Sequence, residues 1–539
     1  MEEIQDTNTT SLKVLMVPWL AHGHVIPYLE LAKKLSKTNL FFIYFCSTPI
    51  ILNSINQENL PKNIQLIEFP LPSSKQLPSH NHTTNGLPKN LLSTLIQTFG
   101  EASSTFGKIL DSLNPDLLIF DGFQPWAPEF ASSRNIHAIY FLVVGSASIS
   151  FFYHHYLYVG TRNFPFSGIF LKDYEAKQLQ LAAKMNSLGP NVAFNGVEKS
   201  HDIILINTCN EIEGKYVDYL STLSKKKVIP VGPLIREMKT SMENEGNDSK
   251  IIQWLDNKDE SSCVYVSFGS EYFLSKEEIE EIAHSLELSE LHFIWILRFP
   301  LGEEINIENV LSKGFLDRVK EKGVIVEKWA PQARILEHAS VGGFLCHCGW
   351  NSILESLHFG VPLITMPMHL DQHTHSRMTV ELGTAMEVVR DENGKLNREE
   401  TAKVIRNVVM EKNGGEIVKA KVIPVGPLVR DSNTDESSEI IQWLNEKDPA
   451  STVLVSFGSL RLGLEEEDPQ ARILAHSSIG GFVSHCGWSS VMDRINSRVP
   501  IMAMPLQFDQ CINARLMGMA GAGVEVIKAG DGGLNTEDK

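Results

Sequence analysis

Cysteine is scarce in this chain: seven among 539 residues, at Cys46, Cys209, Cys263, Cys346, Cys348, Cys486 and Cys511. Most sit in apolar or strand-like runs, which fits reduced core thiols better than a disulfide framework. Cys346 and Cys348 are two apart, but no second pair stands at zinc-site spacing, so a bound zinc is not expected. Positive charge is also short. With 48 basic against 65 acidic residues the net charge is −17, which argues against a protein whose main task is gripping a phosphate backbone. No run of about 18 apolar residues occurs, so no membrane-spanning helix is expected. Met1–Ser11 is polar and has no secretory apolar core, which makes the cytoplasm the expected location. No G-x-G-x-x-G follows the first predicted strand, which counts against a nicotinamide-dependent oxidoreductase.

What is present reads as α/β. A chain of this length is too long for one core and predicts two or more domains. Its 43% hydrophobic and 21% charged residues are ordinary for a globular protein. Lys13–Trp19 is a strand, Leu20–His24 a loop, and a helix is expected from near Pro27. Tyr28, Leu31, Ala32 and Leu35 have the spacing of one buried helical face. Leu40–Cys46 is the next strand, and this opening predicts a parallel sheet. Ile50–Pro88 is polar and proline-punctuated. Asn90–Leu113 reads as helix, Asp116–Asp121, Ala138–Val144 and Ile203–Asn207 as strands, and Phe151–Tyr158 as an aromatic helix. These make a first domain over 1–235, with a linker over 228–249. The pattern then restarts. Cys263–Phe268, His292–Arg298 and Gly323–Lys328 are strands, and Ser275 with Glu278 forms a capping-box signature. Behind it Ile279, Ile282, Ala283 and Leu286 share a helical face. Val361–Pro367 and Thr384–Val389 continue the alternation, and Asn397 with Glu400 starts a helix that closes a second doubly wound domain over 250–415.

Trp329–Gln372 holds the densest chemistry. Gly343–His347 is a short apolar strand, Cys348-Gly349 a turn, and Trp350-Asn351-Ser352 the start of a helix with Ile353, Leu354 and Leu357 on its apolar side. A helix start beside a strand end offers free N–H groups and partial positive charge to an anion. His347, Asn351, Ser352, Glu355, Asp371 and Gln372 stand at strand ends or in a first helical turn, where open α/β sheets bind ligands. In the first domain, His24 lies in the loop after the first strand and titrates near neutral pH, which suits a general base. By position alone it fits a solvated loop histidine as well, and His22 competes with it. Asp121 ends a later strand, where by position alone a helix cap or a solvated side chain is the commoner reading.

At these residues a resemblance becomes specific. W-A-P-Q-A-R-I-L-E-H-A-S-V-G-G-F-L-C-H-C-G-W-N-S and onward to D-Q is similar, nearly position for position, to the signature box of plant secondary-product UDP-glycosyltransferases. The resemblance implies a GT-B fold, two Rossmann-like domains facing a cleft. It implies inverting transfer of glucose from UDP-glucose to a hydroxyl of a small plant metabolite or its glycoside. His24 would deprotonate the acceptor and Asp121 would support it. Trp329 would stack on the uracil, with Ala330 and Gln332 also on the nucleoside and Glu355 accepting from the ribose hydroxyls. Ser270, His347, Asn351 and Ser352 would hold the diphosphate, and Trp350, Asp371 and Gln372 would contact the sugar. In this family a terminal glutamine goes with glucose donors, although Met366 stands where many members have tryptophan. D-x-D is absent from the chain, so the resemblance implies a metal-free diphosphate site. The expected partners are UDP-glucose and a small-molecule acceptor, with no other cofactor, no nucleic acid and a monomeric state. P-W-L-A-H-G-H-V-I-P, F-D-G-F-Q-P-W-A-P-E-F-A and S-F-G-S-E-Y-F-L-S resemble the branch that extends a sugar already attached to a flavonoid, lignan or terpenoid.

The chain also repeats itself. Lys421–Leu428 copies Lys227–Leu234, Ile440–Leu444 copies Ile251–Leu255, Val453–Ser459 copies Val264–Ser270, and Pro469–Gln510 copies Pro331–Gln372. The offset is 189 residues at the serine closing S-F-G-S and 138 at H-C-G-W, so the second copy is shorter by 51 between them. Asn351 becomes Ser489 and Glu355 becomes Asp493. A truncated duplicate of the second domain is therefore expected over 420–539, unable to form a complete site. The rival expectation for the whole chain is an impaired enzyme, born of a tandem duplication or a mis-joined gene model.

Overall fold

The short apolar runs become parallel strands joined by helices. The computed structural model describes residues 11–38, 40–55, 60–185, 192–236, 247–300, 307–327, 329–410 and 443–456, and short pieces between 473 and 525. The chain forms two units, Met1–Pro424 and Val425–Lys539.

The first unit carries two lobes, each built on one sheet. The first-lobe strands are β1 (Leu12–Val17), β2 (Phe41–Ser47), β3 (Ile64–Glu68), β4 (Leu117–Phe120), β5 (His137–Leu142), β6 (Ile203–Ile206) and β7 (Lys227–Pro230). Their order in the sheet is β3-β2-β1-β4-β5-β6-β7, all parallel. The second-lobe strands are β8 (Cys263–Ser267), β9 (His292–Ile296), β10 (Gly323–Val326), β11 (Val341–Cys346), β12 (Leu363–Thr365) and β13 (Ala385–Glu387). Their order is β10-β9-β8-β11-β12-β13, again parallel. In each sheet the winding reverses once, between β1 and β4 and between β8 and β11. A crevice opens at such a reversal, beyond the carboxyl ends of the strands.

Helices cover these sheets where the apolar spacing places them. Tyr28, Leu31 and Ala32 are buried as one face of helix His22–Ser36. Ser275 and Glu278 form the reciprocal cap of helix Lys276–Ser289, whose Ile279, Ile282, Ala283 and Leu286 are buried. Asn397 Oδ1 accepts from the Glu400 N–H at 3.0 Å and starts helix Arg398–Met410.

Three expectations need correction. The first helix begins at His22, not near Pro27. Asn90–Leu113 is broken at Ala102 into helices Leu92–Glu101 and Ser103–Leu113. The linker expected over 228–249 is shorter, because Val228–Pro230 is the edge strand β7 and Asn247–Asp256 is already helix. Apolar V-I-P fits a sheet edge, where a proline needs no ladder partner.

The second unit contains β14 (Thr452–Ser456), β15 (Ile479–Ser484), β16 (Ile501–Ala503) and β17 (Gly523–Glu525), parallel and in that order. Its Val453↔Gly481 pairing follows a register shift like that before Val264↔Gly343 in β8 and β11. Ser489, Asp493 and about half of Pro469–Gln510 lie outside the described residues.

Candidate functional site: the cleft between two sheet reversals

The strand order brings His24 and Asp121 together. β1 and β4 are neighbours, so the segment after β1 lies beside the end of β4. His24 Nδ1 is 2.7 Å from Asp121 Oδ2. Asp121 is buried, and its oxygens also accept from the Trp19 N–H at 3.3 Å and the Phe123 N–H at 3.4 Å. The carboxylate makes Nδ1 the protonated nitrogen and leaves the Nε2 lone pair available. Burial works to lower the pKa of the imidazole. The Asp121 charge and hydrogen bond, with Glu271 and Asp371 further off, outweigh it, and the pKa lies above its ordinary 6.5. Phe123 packs edge-on to the His24 ring at 5.7 Å and stacks on Trp19 at 4.7 Å. Of the aromatics read in Phe120–Phe130 and Phe151–Tyr158, Phe123 is the one beside the dyad. Phe120, Phe151 and Tyr153 are core. His22 is exposed as the first residue of the helix, with Glu271, Arg298 and Arg236 as its charged neighbours.

Pro27 has a second effect. It has no N–H to give the carbonyl of Gly23, four residues earlier. That free carbonyl accepts instead from Asn351 Nδ2 at 2.9 Å, from the other lobe. The N-terminal ends of helices His22–Ser36 and Trp350–Phe359 therefore meet across the cleft. Two positive helix ends at one place favour an anion between them.

The second-lobe residues gather around the β8/β11 reversal. Ser270 lies in the turn after β8, and His347 follows β11. The His347 ring is wedged between two glycines. A Cβ on Gly269 would come within 2.7 Å of its Nε2, and one on Gly349 within 2.6 Å. Gly269 also has φ +80°, which disfavours any side chain there. Burial, with the charge of His369 adding to it, holds the His347 pKa down at about 4, so the ring is neutral at pH 7. Its Nδ1 is buried without a partner. Gln332 opens helix Gln332–Glu337 and donates from Nε2 to Glu355 Oε2 at 2.7 Å and to Ser352 Oγ at 3.3 Å. Burial raises the Glu355 pKa, against the Gln332 hydrogen bond and the Arg236 charge. Trp329 is 55% exposed, a free ring beside the buried Ala330. Asp371 is partly exposed at the start of helix Gln372–Glu381.

Two residues differ from expectation. The Trp350 indole is buried at the lobe junction, donating to the Asn207 carbonyl at 2.6 Å and lying 5.0 Å from the His375 ring. Any contact it makes with a sugar falls to its backbone. The Gln372 side-chain oxygen already accepts from the N–H groups of Met368 at 3.0 Å and His369 at 3.1 Å, which leaves only its NH₂ for a ligand. The sequence reading also missed Glu271. Its Oε1 accepts from the Thr84 hydroxyl at 2.6 Å across the cleft, and its position directly after Ser270 was the available signal. Among the described residues no group of three or more His, Cys, Asp or Glu side chains is arranged to hold a metal ion.

Known proteins share this arrangement. The family described as UDP-glucoronosyl and UDP-glucosyl transferase matches residues 238–430 and 464–530, and the glycosyltransferase N-terminal domain matches residues 10–236. A mogroside IIIx synthase of Siraitia grosvenorii is 48% identical over 451 residues, spanning 81% of this chain and 98% of that enzyme. The chain belongs to the plant UDP-glycosyltransferases. It is a transferase, and its two lobes are the two Rossmann-like domains of the GT-B fold. UDP-glucosyltransferase 29 of Panax ginseng is 46% identical over 81% of this chain and 97% of that one. A flavanone 7-O-glucoside 2''-O-beta-L-rhamnosyltransferase of Citrus maxima is 42% identical over 80% and 96%. Among solved structures, a UGT transferase from Siraitia grosvenorii in complex with UDP matches at a TM-score of 0.61 and 28% identity, covering 74% of this chain and 91% of that one. His24, Asp121 and Asn351 meet where the two lobes touch, and Ser270, His347, Ser352 and Glu355 lie on the second lobe around its β8/β11 reversal. Among the described residues no helix is long and apolar enough to cross a membrane.

Proposed function

We propose that this transferase moves glucose from UDP-glucose, with inversion and without a metal, to a hydroxyl on the sugar of a plant secondary-metabolite glycoside. The observation that carries the reading is the His24–Asp121 pair at 2.7 Å, set one residue from the carbonyl that Asn351 reaches across the cleft. His24 Nε2 takes the acceptor proton, and Asp121 holds the ring and offsets the charge it gains. The acceptor oxygen attacks the anomeric carbon from the face opposite the diphosphate, which inverts the configuration. The helix end at Trp350, the side chains of Asn351 and Ser352, Ser270 and neutral His347 receive the leaving diphosphate. Trp329 and Ala330 take the uracil, Gln332 and Glu355 the ribose, and Asp371 with the NH₂ of Gln372 the glucose. The glycoside acceptor is supported by relatives named for work on glycosides, such as a beta-D-glucosyl crocetin beta-1,6-glucosyltransferase of Gardenia jasminoides, 44% identical.

The test is an acceptor screen with UDP-glucose, UDP-galactose and UDP-rhamnose, with NMR of the new anomeric centre and a parallel run in chelator. Preferred use of UDP-glucose, a β-linked product and indifference to chelator are expected. A retained anomeric configuration or a chelator-dead enzyme would sink the mechanism. A second reading is a transferase impaired by residues 425–539, and exposed apolar side chains on β14 and β16 favour weighing it. Val453 and Met502 there are 58% and 51% exposed.

A further inference from the structure

Arg298 has no role in the site as described. It lies two residues past the end of β9, where the Leu297 N–H still bonds the Val326 carbonyl at 3.0 Å and keeps the chain extended. Side chains alternate along such a segment. Ile294 and Ile296 face the core that contains Tyr265 and Ala330, so Arg298 falls on that same side. There Tyr265 donates to Gln332 Oε1 at 3.3 Å. β9 lies between β8 and β10, so its end stands between the Gly269-Ser270 turn and the Trp329-Ala330 segment. The guanidinium Nε is buried and has no hydrogen-bond partner, and no carboxylate among the described residues pairs with Arg298. The side chain as a whole is only partly buried, but an arginine cannot shed its charge in a protein, so a guanidinium partly withdrawn from water with no carboxylate partner favours an arriving anion. Its ionisable neighbours are the Tyr265 phenol and His22 of the opposite lobe. A second cation, Arg236, is within electrostatic reach of both His22 and Glu355.

We propose that Arg298 is the countercharge for the diphosphate of the nucleotide donor, with Arg236 adding positive charge at the rim. This rests on the reading that the cleft takes a UDP-sugar. When the bond from the anomeric carbon to the β-phosphate oxygen breaks, its electron pair stays on that oxygen, and the diphosphate gains a further negative charge. A fixed guanidinium interacts more strongly with that product than with the intact donor, so Arg298 aids departure as well as binding. The helix ends and neutral donors around Asn351 would then share the charge with an arginine outside the signature stretch.

Titration calorimetry of the full chain with UDP and with uridine tests this, using Arg298→Met, Arg298→Gln and Arg298→Lys. The expected result is a loss of roughly 10- to 100-fold in UDP affinity for Arg298→Met, the scale of a charge-assisted contact. Uridine affinity should stay within about two-fold, Arg298→Lys should recover part of the loss, and the melting temperature without ligand should not fall. If Arg298→Met does not fold, Arg298→Gln carries the comparison, and its UDP affinity should fall less steeply with salt than the parent's. Equal losses for uridine and UDP would make Arg298 a base or ribose contact and overturn the proposal. So would unchanged UDP affinity, or a lower melting temperature as the sole effect. A parent chain that binds neither ligand would instead overturn the UDP-sugar reading itself.

Discussion

At His24 the chemistry turns on one proton. The ring must be neutral to accept it, and its pKa is raised above 6.5 by Asp121 against the opposing effect of burial. Turnover should therefore climb with pH through that raised value and level off above it, as a kcat/KM profile of the free enzyme would record. Asp121→Asn removes the charge that raises the pKa while burial remains, so the limb should move to lower pH as the plateau falls. A limb that stays in place would show that another group titrates. His24→Ala should cost about 10²- to 10⁴-fold in kcat and leave UDP affinity within a few-fold, because the nucleotide residues lie in the other lobe. Full activity in that variant would remove His24 from the mechanism. Both residues were legible in the sequence as strand-end groups. Their pairing, 97 positions apart, was expected only through the family resemblance, because spacing alone cannot show that β1 and β4 are neighbours in the sheet. The Asn351–Gly23 bond was hidden for a similar reason. It needs the carbonyl freed by Pro27, and Pro27 was read as the start of a helix that begins at His22.

At the scale of elements, helix Gln372–Glu381 carries a residue proposed for the donor sugar and is also a lobe junction. Its first turn carries Gln372 next to Asp371. One turn on, Arg377 bonds Glu175 of the first lobe at 2.7 Å and Glu387 of β13 at 2.5 Å. His373 Nδ1 is 3.2 Å from Glu175, and Thr374 donates to Ser148 at 3.0 Å. Further along, Glu381 accepts from Lys215 and Tyr216. Burial would raise the Glu175 pKa. The His373 contact, the Lys172 backbone N–H and the charges of His373 and Arg377 prevail and hold it at about 2. A carboxyl depressed on folding stabilises above its unfolded pKa, near 4.5, and loses that contribution as pH falls toward 2. The depression corresponds to roughly 3 kcal/mol at neutral pH. Glu175→Gln should lower stability by that order at pH 7 and flatten the acid side of the stability profile, measured by denaturant titration from pH 7 down to pH 3. An equal loss at both ends of that range would mean the carboxylate charge contributes nothing. None of this network was readable beforehand, since Glu175 and Arg377 are 202 positions apart. Helices Lys276–Ser289 and Arg398–Met410, outside this network, were readable, because Ser275–Glu278 and Asn397–Glu400 are local capping patterns that need no tertiary partner.

For the whole molecule the question is what residues 425–539 do to the unit before them. In the first unit, Val264 and Ile364 are fully buried in one core with residues of helices Lys276–Ser289 and Arg398–Met410. By the sequence offsets of 189 and 138, their counterparts are Val453 and Met502, and both are more than half exposed. On the reading of 420–539 as a shortened copy, the 51 residues it lacks after S-F-G-S correspond to a stretch that in the first unit holds Lys276–Ser289, β9 and β10. Among the described residues β14 ends its sheet on the side where β8 has β9, and an edge strand leaves a row of backbone groups that its own sheet does not pair. An apolar face beside an open edge favours association over function. The first unit, by contrast, already holds both sheet reversals, the His24–Asp121 pair and the donor residues. A chain ending at Pro424 should bind UDP within about two-fold of the full chain, take up less hydrophobic dye, and turn over UDP-glucose at least as fast. The last two expectations follow from removing a surface that invites aggregation. A shortened chain that loses UDP affinity or fails to fold would show that Val425–Lys539 completes the enzyme, and the reading of that unit as a burden would be wrong.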